Sequence, residues 1–414
     1  MNIAVIGTGI SGLVAAYLLS REHEITLFEA NDYIGGHTHT VDVPRERGTV
    51  AVDTGFIVFN AKTYPNFIKL MQTLGVAWQP SDMSFSVQCE RTGLTFCPSS
   101  LDALFAQRRN LLRPSFYLML WDAVRFRRET PALLDRSDDR TGLLAYLKKE
   151  RYSQAFIDYF IIPMGAAIWS ADPARFMEFP VRYFAAFFHN HGFLNITDQP
   201  EWRTIKGGSR QYIAPLTERF RDNIRLNCAV KAVKRQRDHV DLSLADGGRH
   251  RCDQVVIATH SDQALGLLED PSDAEGAILG AIPYQENQTV LHTDEALLPT
   301  PRSVWASWNY RIPGIKMDRV ALTYYMNRLQ NLSTRRQFCV TLNMAGAVDP
   351  RKRIAEMTYH HPIYDPDSLA ARKRRSAING VNRTWYCGAY WGYGFHEDGV
   401  NSALEIGRHF GLTL

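Results

Sequence analysis

Ile3-Ala4-Val5-Ile6-Gly7-Thr8-Gly9-Ile10-Ser11-Gly12-Leu13 is the stretch from which the fold is read. Residues 3–6 are a continuous apolar run, the pattern of a strand buried on both faces of a parallel sheet. Leu13 to Leu19 then reads as a helix, and Glu24-Ile25-Thr26-Leu27-Phe28 as a second strand ending at Glu29. The glycines between strand and helix have separate tasks. Gly7 permits the tight turn, Gly9 lets backbone approach a pyrophosphate, and Gly12 lets helix and strand pack closely. The helix start, where Ser11 lies, offers unpaired N–H groups and partial positive charge to phosphates. Glu29, twenty residues past Gly9, stands where a carboxylate accepts hydrogen bonds from the adenosine ribose, and its charge repels a 2′-phosphate. Strand, turn, helix, second strand and acid together predict a dinucleotide-binding α/β unit.

The composition is compatible with that unit and narrows the rest. Forty-seven Lys and Arg against 43 Asp and Glu leave a formal +4 on 414 residues, which excludes a nucleic-acid binder held by global charge. With 45% hydrophobic and 22% charged residues the chain reads as ordinary globular protein, long enough for two domains. Its six cysteines form no C-x-x-C pair, so neither a zinc site nor a disulfide scaffold is expected, and a reducing cytoplasmic compartment fits. An apolar strand starting at the second or third residue leaves no room for a signal peptide. The most apolar long stretch, Phe156 to Trp169, is too short to span a bilayer and carries Asp158 and Pro163.

Which dinucleotide binds is read from the next loop, Ala30-Asn31-Asp32-Tyr33-Ile34-Gly35-Gly36-His37-Thr38-His39-Thr40. Gly35 and Gly36 provide a second close backbone approach, which the longer FAD needs and a plain NAD dehydrogenase does not. Segment 3–60 resembles the flavin-containing amine oxidase and phytoene desaturase superfamily. Its members usually read Gly-Gly-Arg at this point, with Arg meeting the pyrophosphate; here the residue is His37, a hydrogen-bond donor with at most partial charge. Val52-Asp53-Thr54-Gly55-Phe56 resembles the superfamily's stretch leading to the flavin, and a strand ending in a turn is the plain alternative.

The resemblance implies a discontinuous, Rossmann-like FAD domain (1–80, 201–270 and 375–414) with an inserted α+β substrate or cap domain (81–200 and 271–374). Lys206-Gly207-Gly208-Ser209 precedes a predicted helix, 211–220, and strands follow at 224–227 and 229–233. In related proteins the residue matching Val230 pairs its backbone with adenine. Val240–Leu244 and 251–256 read as a hairpin around Asp246-Gly247-Gly248, and 255–259, with Ala258, resembles the strand end beside the nucleotide. Trp385-Tyr386-Cys387-Gly388-Ala389-Tyr390 reads as a strand and turn, and Gly394-Phe395-His396-Glu397-Asp398-Gly399-Val400 leads into a helix ending near His409. This resembles the carboxy-terminal flavin segment, where a glycine loop and a helix start embrace ribityl and isoalloxazine. A helix N-terminus there favours negative charge on the ring and so hydride acceptance.

Over nearly the whole chain the sequence is similar to a bacterial family of predicted NAD/FAD-binding oxidoreductases. The similarity is carried by 52–60, Ile168-Trp169-Ser170, Trp305-Ala306-Ser307-Trp308-Asn309-Tyr310 and 394–399. The same kind of sequence resembles the amino-terminal oxidase-like region of plant cyclopropane fatty acid synthases, which implies a hydrophobic substrate, a lipid acyl chain that is unsaturated, cyclopropane-bearing or methyl-branched. A small-amine oxidase, a flavin-dependent isomerase and a non-catalytic FAD-binding partner of a lipid-modifying methyltransferase are the alternatives. Aligned with the amine oxidase pattern, His396 falls at one wall of an aromatic cage, where it could act as acid or base with Glu397 setting its tautomer. A loop histidine bonded to backbone is the plain reading. Tyr393 and Trp308 are candidates for the same face.

On the substrate side, 101–126 reads as helical, with Leu104, Leu111, Leu112, Phe116, Tyr117 and Trp121 among its apolar positions. Arg108, Arg109, Arg113, Arg125, Arg127 and Arg128 accompany them against Asp122. Such a surface reads either as peripheral contact with a membrane or as a core helix pair with a solvated rim. The aromatic runs 156–188 and 305–325 are mostly core, yet they are also the lining that an apolar tunnel over a flavin requires.

Overall fold

The computed structural model describes all residues except 47, 136–139, 192–199 and 316. Five short strands form a parallel sheet in the order Ile224–Arg225, Glu24–Phe28, Asn2–Ile6, Gln254–Ile257, Thr384–Tyr386. The run 3–6 is its centre. Ile3, Ala4 and Val5 are fully buried, as a strand covered on both faces demands. Beside this sheet, Val230–Arg235, Val240–Leu244 and Arg249–Cys252 form an antiparallel meander.

Two helices cover the sheet together, Ile10–Leu19 and His396–His409. A Cβ added at Gly399 would stand 2.8 Å from both Ile10 Cγ2 and Ser11 Oγ, and one at Gly407 would stand 2.8 Å from Leu18 Cδ1. Contacts 399 with 10–11 and 407 with 18 advance in step, so the helices run parallel. Since Ile10–Leu19 begins just beyond strand Asn2–Ile6, both helix N-termini lie at the carboxyl edge of the sheet, the usual ligand edge of such a fold.

A second body is built on a seven-stranded mixed sheet. Its order is Arg353–Pro362, Tyr284–His292, Cys339–Leu342, Leu322–Tyr325, Trp308–Ile312, Phe85–Cys89, Thr95–Phe96. Helices between 101 and 191 pack over the Phe85–Cys89 end through an aromatic core that includes Phe116, Phe126, Phe156, Trp169, Phe184 and Phe187. The architecture is thus a Rossmann-like α/β unit with an α+β substrate part. Among the described residues no helix is long and apolar enough to cross a membrane.

Two expected helices differ. The predicted helix 101–126 is three pieces: Leu101–Leu104, a 3₁₀ turn Arg108–Leu112, and Pro114–Glu129. The break follows from Pro114, whose ring drives the preceding residue out of the helical region; Arg113 has ψ 105°. The helix predicted over 211–220 is a 3₁₀ turn, Ser209–Tyr212, and a short α-helix, Ile213–Thr217. Pro215 sits in its first turn, where its missing N–H costs nothing.

The Gly399 contact yields a stability test. Gly399→Ala is expected to lose about 1–3 kcal/mol by overpacking. Gly276→Ala, in helix Asp273–Leu279 with nothing within 4 Å of its added Cβ, is expected to be neutral or slightly stabilising. Urea unfolding of the two variants beside the parent checks this.

Candidate functional site

The cradle is built by close approaches at the sheet edge. Gly7 has φ +101°, and a Cβ there would lie 3.0 Å from the Ala258 carbonyl oxygen. At Gly12 a Cβ would lie 2.0 Å from the Gly7 carbonyl oxygen, so only glycine fits. At Gly9 it would meet nothing within 4 Å. Gly9 therefore faces open space, and no side chain caps the helix it begins. The turn leaves free N–H groups aimed outward, which suits an anionic pyrophosphate. Gly36 (φ +58°) stacks its backbone on Gly9, with 3.2 Å from an added Cβ to the Gly9 Cα. Gly35 donates its N–H to Thr8 Oγ1 at 3.3 Å.

Glu29 is buried at the end of its strand. It accepts from Thr8 N (3.0 Å), Thr8 Oγ1 (2.5 Å), Asn31 N (3.0 Å) and Asn31 Nδ2 (3.0 Å), which fixes its carboxylate beside the glycine turn. Cys228 N donates to the Glu29 carbonyl at 2.8 Å and brings the start of strand Val230–Arg235 alongside. Gly7, Gly9, Gly12, Glu29, Gly35, Gly36, Val230 and Ala258 thus converge on one edge. Ser11 lies under it, against Gly399. Gly55 is packed on the His37 carbonyl, 2.3 Å from an added Cβ, and Phe56 N donates to the same oxygen at 2.7 Å. On the carboxy-terminal side, Gly388 donates its N–H to Ser402 Oγ at 2.9 Å, and Val400 is fully buried below it.

The imidazole of His37 lies beside Tyr359 (4.8 Å between centroids) and His361 (5.5 Å), with His260 at 6.2 Å. Burial, then its histidine neighbours, push its pKa well below the ordinary value. At the position where the superfamily keeps a fixed cation, this chain has a neutral donor.

His396 begins the carboxy-terminal helix and is almost fully buried. Its ring stacks on Phe56 at 3.5 Å, and its Nε2 lies 3.0 Å from Thr38 Oγ1 and 3.4 Å from Tyr212 Oη. Thr38 and Tyr212 also share a short hydrogen bond. Burial lowers the His396 pKa to about 3, so at neutral pH the ring is an uncharged hydrogen-bonding group. Glu397 does not set its tautomer. Its carboxylate accepts from Asn66 N (3.0 Å) and Phe67 N (2.8 Å) and caps helix Pro65–Thr73. Sequence reading missed Tyr212 and Phe56 as partners of this histidine; Tyr212, three residues past Ser209, carried no motif to single it out.

Other expected residues are held by the protein itself. Asp53 accepts from Thr40 Oγ1 (2.5 Å), Ser209 N (2.9 Å) and Gln330 Nε2 (2.7 Å), and burial raises its pKa to about 6. Asp398 Oδ2 accepts from Tyr393 N and Phe395 N, both at 3.0 Å, closing the loop; burial raises its pKa to about 7. Their side chains lock the cradle's loops. Tyr393 packs on Tyr183 (4.7 Å) and Phe187 (5.5 Å). Trp308 stands on the mixed sheet against Tyr324 (5.0 Å). An open cavity of about 580 Å³ between Pro80–Asp82 and Tyr325–Gln337 contains none of these residues.

Comparison with known proteins agrees with this geometry. The profile described as flavin containing amine oxidoreductase matches residues 10–298. The chain belongs to that family. As a flavin containing amine oxidoreductase it is a FAD-dependent enzyme, in line with the glycine cradle. A search among curated proteins found no match. Among solved structures it is similar to cyclohexylamine oxidase from Brevibacterium oxydans, with 16% identity, TM-score 0.70 and 99% of each chain covered. It is also similar to a CLA-producing fatty acid isomerase from P. acnes, with 18% identity, TM-score 0.70, 99% of this chain and 98% of the other covered. Putrescine oxidase bound to putrescine matches with 11% identity, TM-score 0.68 and 99% of each chain covered. At these identities the likeness is one of fold.

The buried titratable groups predict a pH dependence. His396, His361 and His191 have pKa values lowered to about 3, 4 and 4. The unfolded chain protonates histidine near the ordinary value while the folded one does not, so stability falls as pH drops from about 6.5 toward 4. Asp398, raised to about 7, acts in the opposite sense: its contribution is greatest below the unfolded carboxyl pKa and is lost as pH rises through 7. His396→Gln is therefore expected to flatten the loss of stability between pH 6.5 and 5, and Asp398→Asn to steepen it. Denaturant midpoints across that range check both slopes.

Proposed function

We propose that this enzyme removes hydride from a hydrophobic substrate, a lipid acyl chain that is unsaturated or carries a cyclopropane or methyl branch. The observation that carries the reading is the state of the buried acids. Asp53, Glu397 and Asp398 are each engaged by protein donors, and Asp53 and Asp398 are pushed toward neutrality. None is left as a counter-charge for an ammonium group, which an amine substrate would bring into a low-dielectric site at high cost. What packs on Tyr393 and Phe395 of the carboxy-terminal loop is aromatic: Tyr183 and Phe187, with Tyr364 stacked on Tyr183. The use of this fold by a fatty acid isomerase supports an acyl chain as a substrate it accommodates.

FAD supplies the hydride acceptor. In this reading Gly7, Gly9, Ser11, Gly12, Gly35 and Gly36 receive its pyrophosphate, with His37 as a neutral donor, and Glu29 and Val230 meet the adenosine. Thr38, Gly55, Ala258, Gly388, Gly399 and Val400 shape the walls. Asp53 and Asp398 hold the loops that meet the cofactor. His396, Thr38 and Tyr212 form a neutral hydrogen-bonded group that orients without exchanging charge. The aromatic side chains exclude water from the C–H bond and fix its approach. Tyr393, with its pKa raised to about 12 by burial, stays protonated and lines that approach. A lipid-modifying methyltransferase is the partner this substrate class calls for.

A second reading, isomerisation without net redox change, is favoured by the same fatty acid isomerase likeness. Anaerobic mixing separates the cases. Detergent-dispersed unsaturated or methyl-branched phospholipid is expected to bleach the flavin band, and cyclohexylamine and putrescine are not. A lipid product of unchanged mass with no lasting bleaching would favour isomerisation. Bleaching by the amines alone would overturn the acyl reading.

The adenosine contact has its own test. Glu29→Gln is expected to weaken FAD about tenfold or more, the cost of a charge-assisted hydrogen bond. Fluorescence titration of the deflavinated protein measures it.

A further inference from the structure

Eleven large apolar side chains are exposed among the described residues, and seven of them lie between Leu101 and Val124. In the 3₁₀ turn Arg108–Leu112, Leu112 is 86% exposed. Along the helix Pro114–Glu129, Tyr117, Trp121 and Val124 recur at i, i+4 and i+7, and Trp121 is 63% exposed. The opposite side of the same helix, with Phe116, Met119, Ala123 and Phe126, is buried in the aromatic core. One helix thus has two apolar faces, and only one of them is covered.

The charges around the open face are net positive. Arg128 continues the exposed stripe one helical step beyond Val124. Arg109 and Arg113 bond to the carbonyls of Gly93 and Thr92, which fixes them beside Leu112. The acids nearby are already matched. Asp122 and Glu129 are held by Arg125, at 3.3 and 3.4 Å, and Asp102 by Arg108 at 3.0 Å. Unmatched arginines bordering exposed Trp and Leu complement a surface that is apolar within and negative at its boundary.

We propose that this face docks on an anionic phospholipid bilayer, with Leu112, Leu118, Trp121 and Val124 inserted below the headgroups and Arg109, Arg113 and Arg128 on the phosphates. The proposal deepens the acyl-chain reading and rests on it for its purpose. The buried side of the same helix belongs to the aromatic cluster against which Tyr393 and Phe395 pack. Docking would therefore set the membrane against the body that leads to the carboxy-terminal loop.

Co-sedimentation of the FAD-loaded protein with vesicles tests it without turnover. Vesicles of equal parts phosphatidylglycerol and phosphatidylcholine are expected to bind the protein, and pure phosphatidylcholine vesicles about a hundredfold less. Raising salt from about 50 to about 500 mM should release much of the bound protein. Leu112→Gln with Trp121→Gln should lower partitioning about tenfold or more, and Arg109→Gln with Arg128→Gln about twentyfold. All four substituted side chains are exposed, so unchanged flavin absorbance and melting temperature verify the fold. Protein left in the supernatant with anionic vesicles at low salt overturns the proposal. So does a dimer, seen by light scattering, that Trp121→Gln dissolves, because a second copy would then cover the face. Binding with neither bleaching by any acyl lipid nor an altered lipid product would leave docking standing and the substrate reading refuted; bleaching by dispersed lipid without vesicle binding would do the reverse.

Discussion

The approach of Gly399 to Ile10 and Ser11 is the constraint on which the site depends. It sets two helices in parallel with their N-termini side by side at one sheet edge. Two positive helix ends held together repel one another, and an anionic ligand between them relieves that cost. A side chain at 399 would separate the helices and with them the two halves of the cradle. The amino-terminal turn and the carboxy-terminal loop come from opposite ends of the chain, so this contact makes one site of them.

Much of the fold was legible because its signals are local. The strand 3–6, the glycines that follow it, the strand at 24–28 and the acid at its end are fixed by short-range sterics and burial, and each forms where the sequence reading has it. The failures have two physical sources. Pro114 imposes a break that apolar spacing alone hides, because periodicity runs on through it. The partners of the acids were hidden for another reason. A carboxylate's partner is chosen by tertiary contact, and Glu397 beside His396 in sequence turns instead to a helix start more than three hundred residues away. Asp53 and Asp398 likewise bind backbone and side chains that no motif brings together. Adjacency in sequence was the wrong measure for groups whose geometry is set by the fold.

Neutrality recurs through the site. His37 and His396 are held uncharged by burial, and Asp53 and Asp398 are pushed the same way. A chamber with so few formal charges has a low dielectric response, which strengthens whatever dipoles remain. The two helix ends are then the dominant electrostatic feature of the cradle. Residues placed to hydrogen-bond without ionising keep it so.

The cap that Glu397 places on helix Pro65–Thr73 has a consequence for biogenesis. During synthesis that helix leaves the ribosome long before its cap exists, and the edge strand Thr384–Tyr386 arrives equally late. The amino-terminal layer is therefore complete only once the segment carrying Thr384–Tyr386 and Glu397 has emerged. Until then the sheet edge that Thr384–Tyr386 covers is unpaired, the kind of exposed edge that chaperones shield.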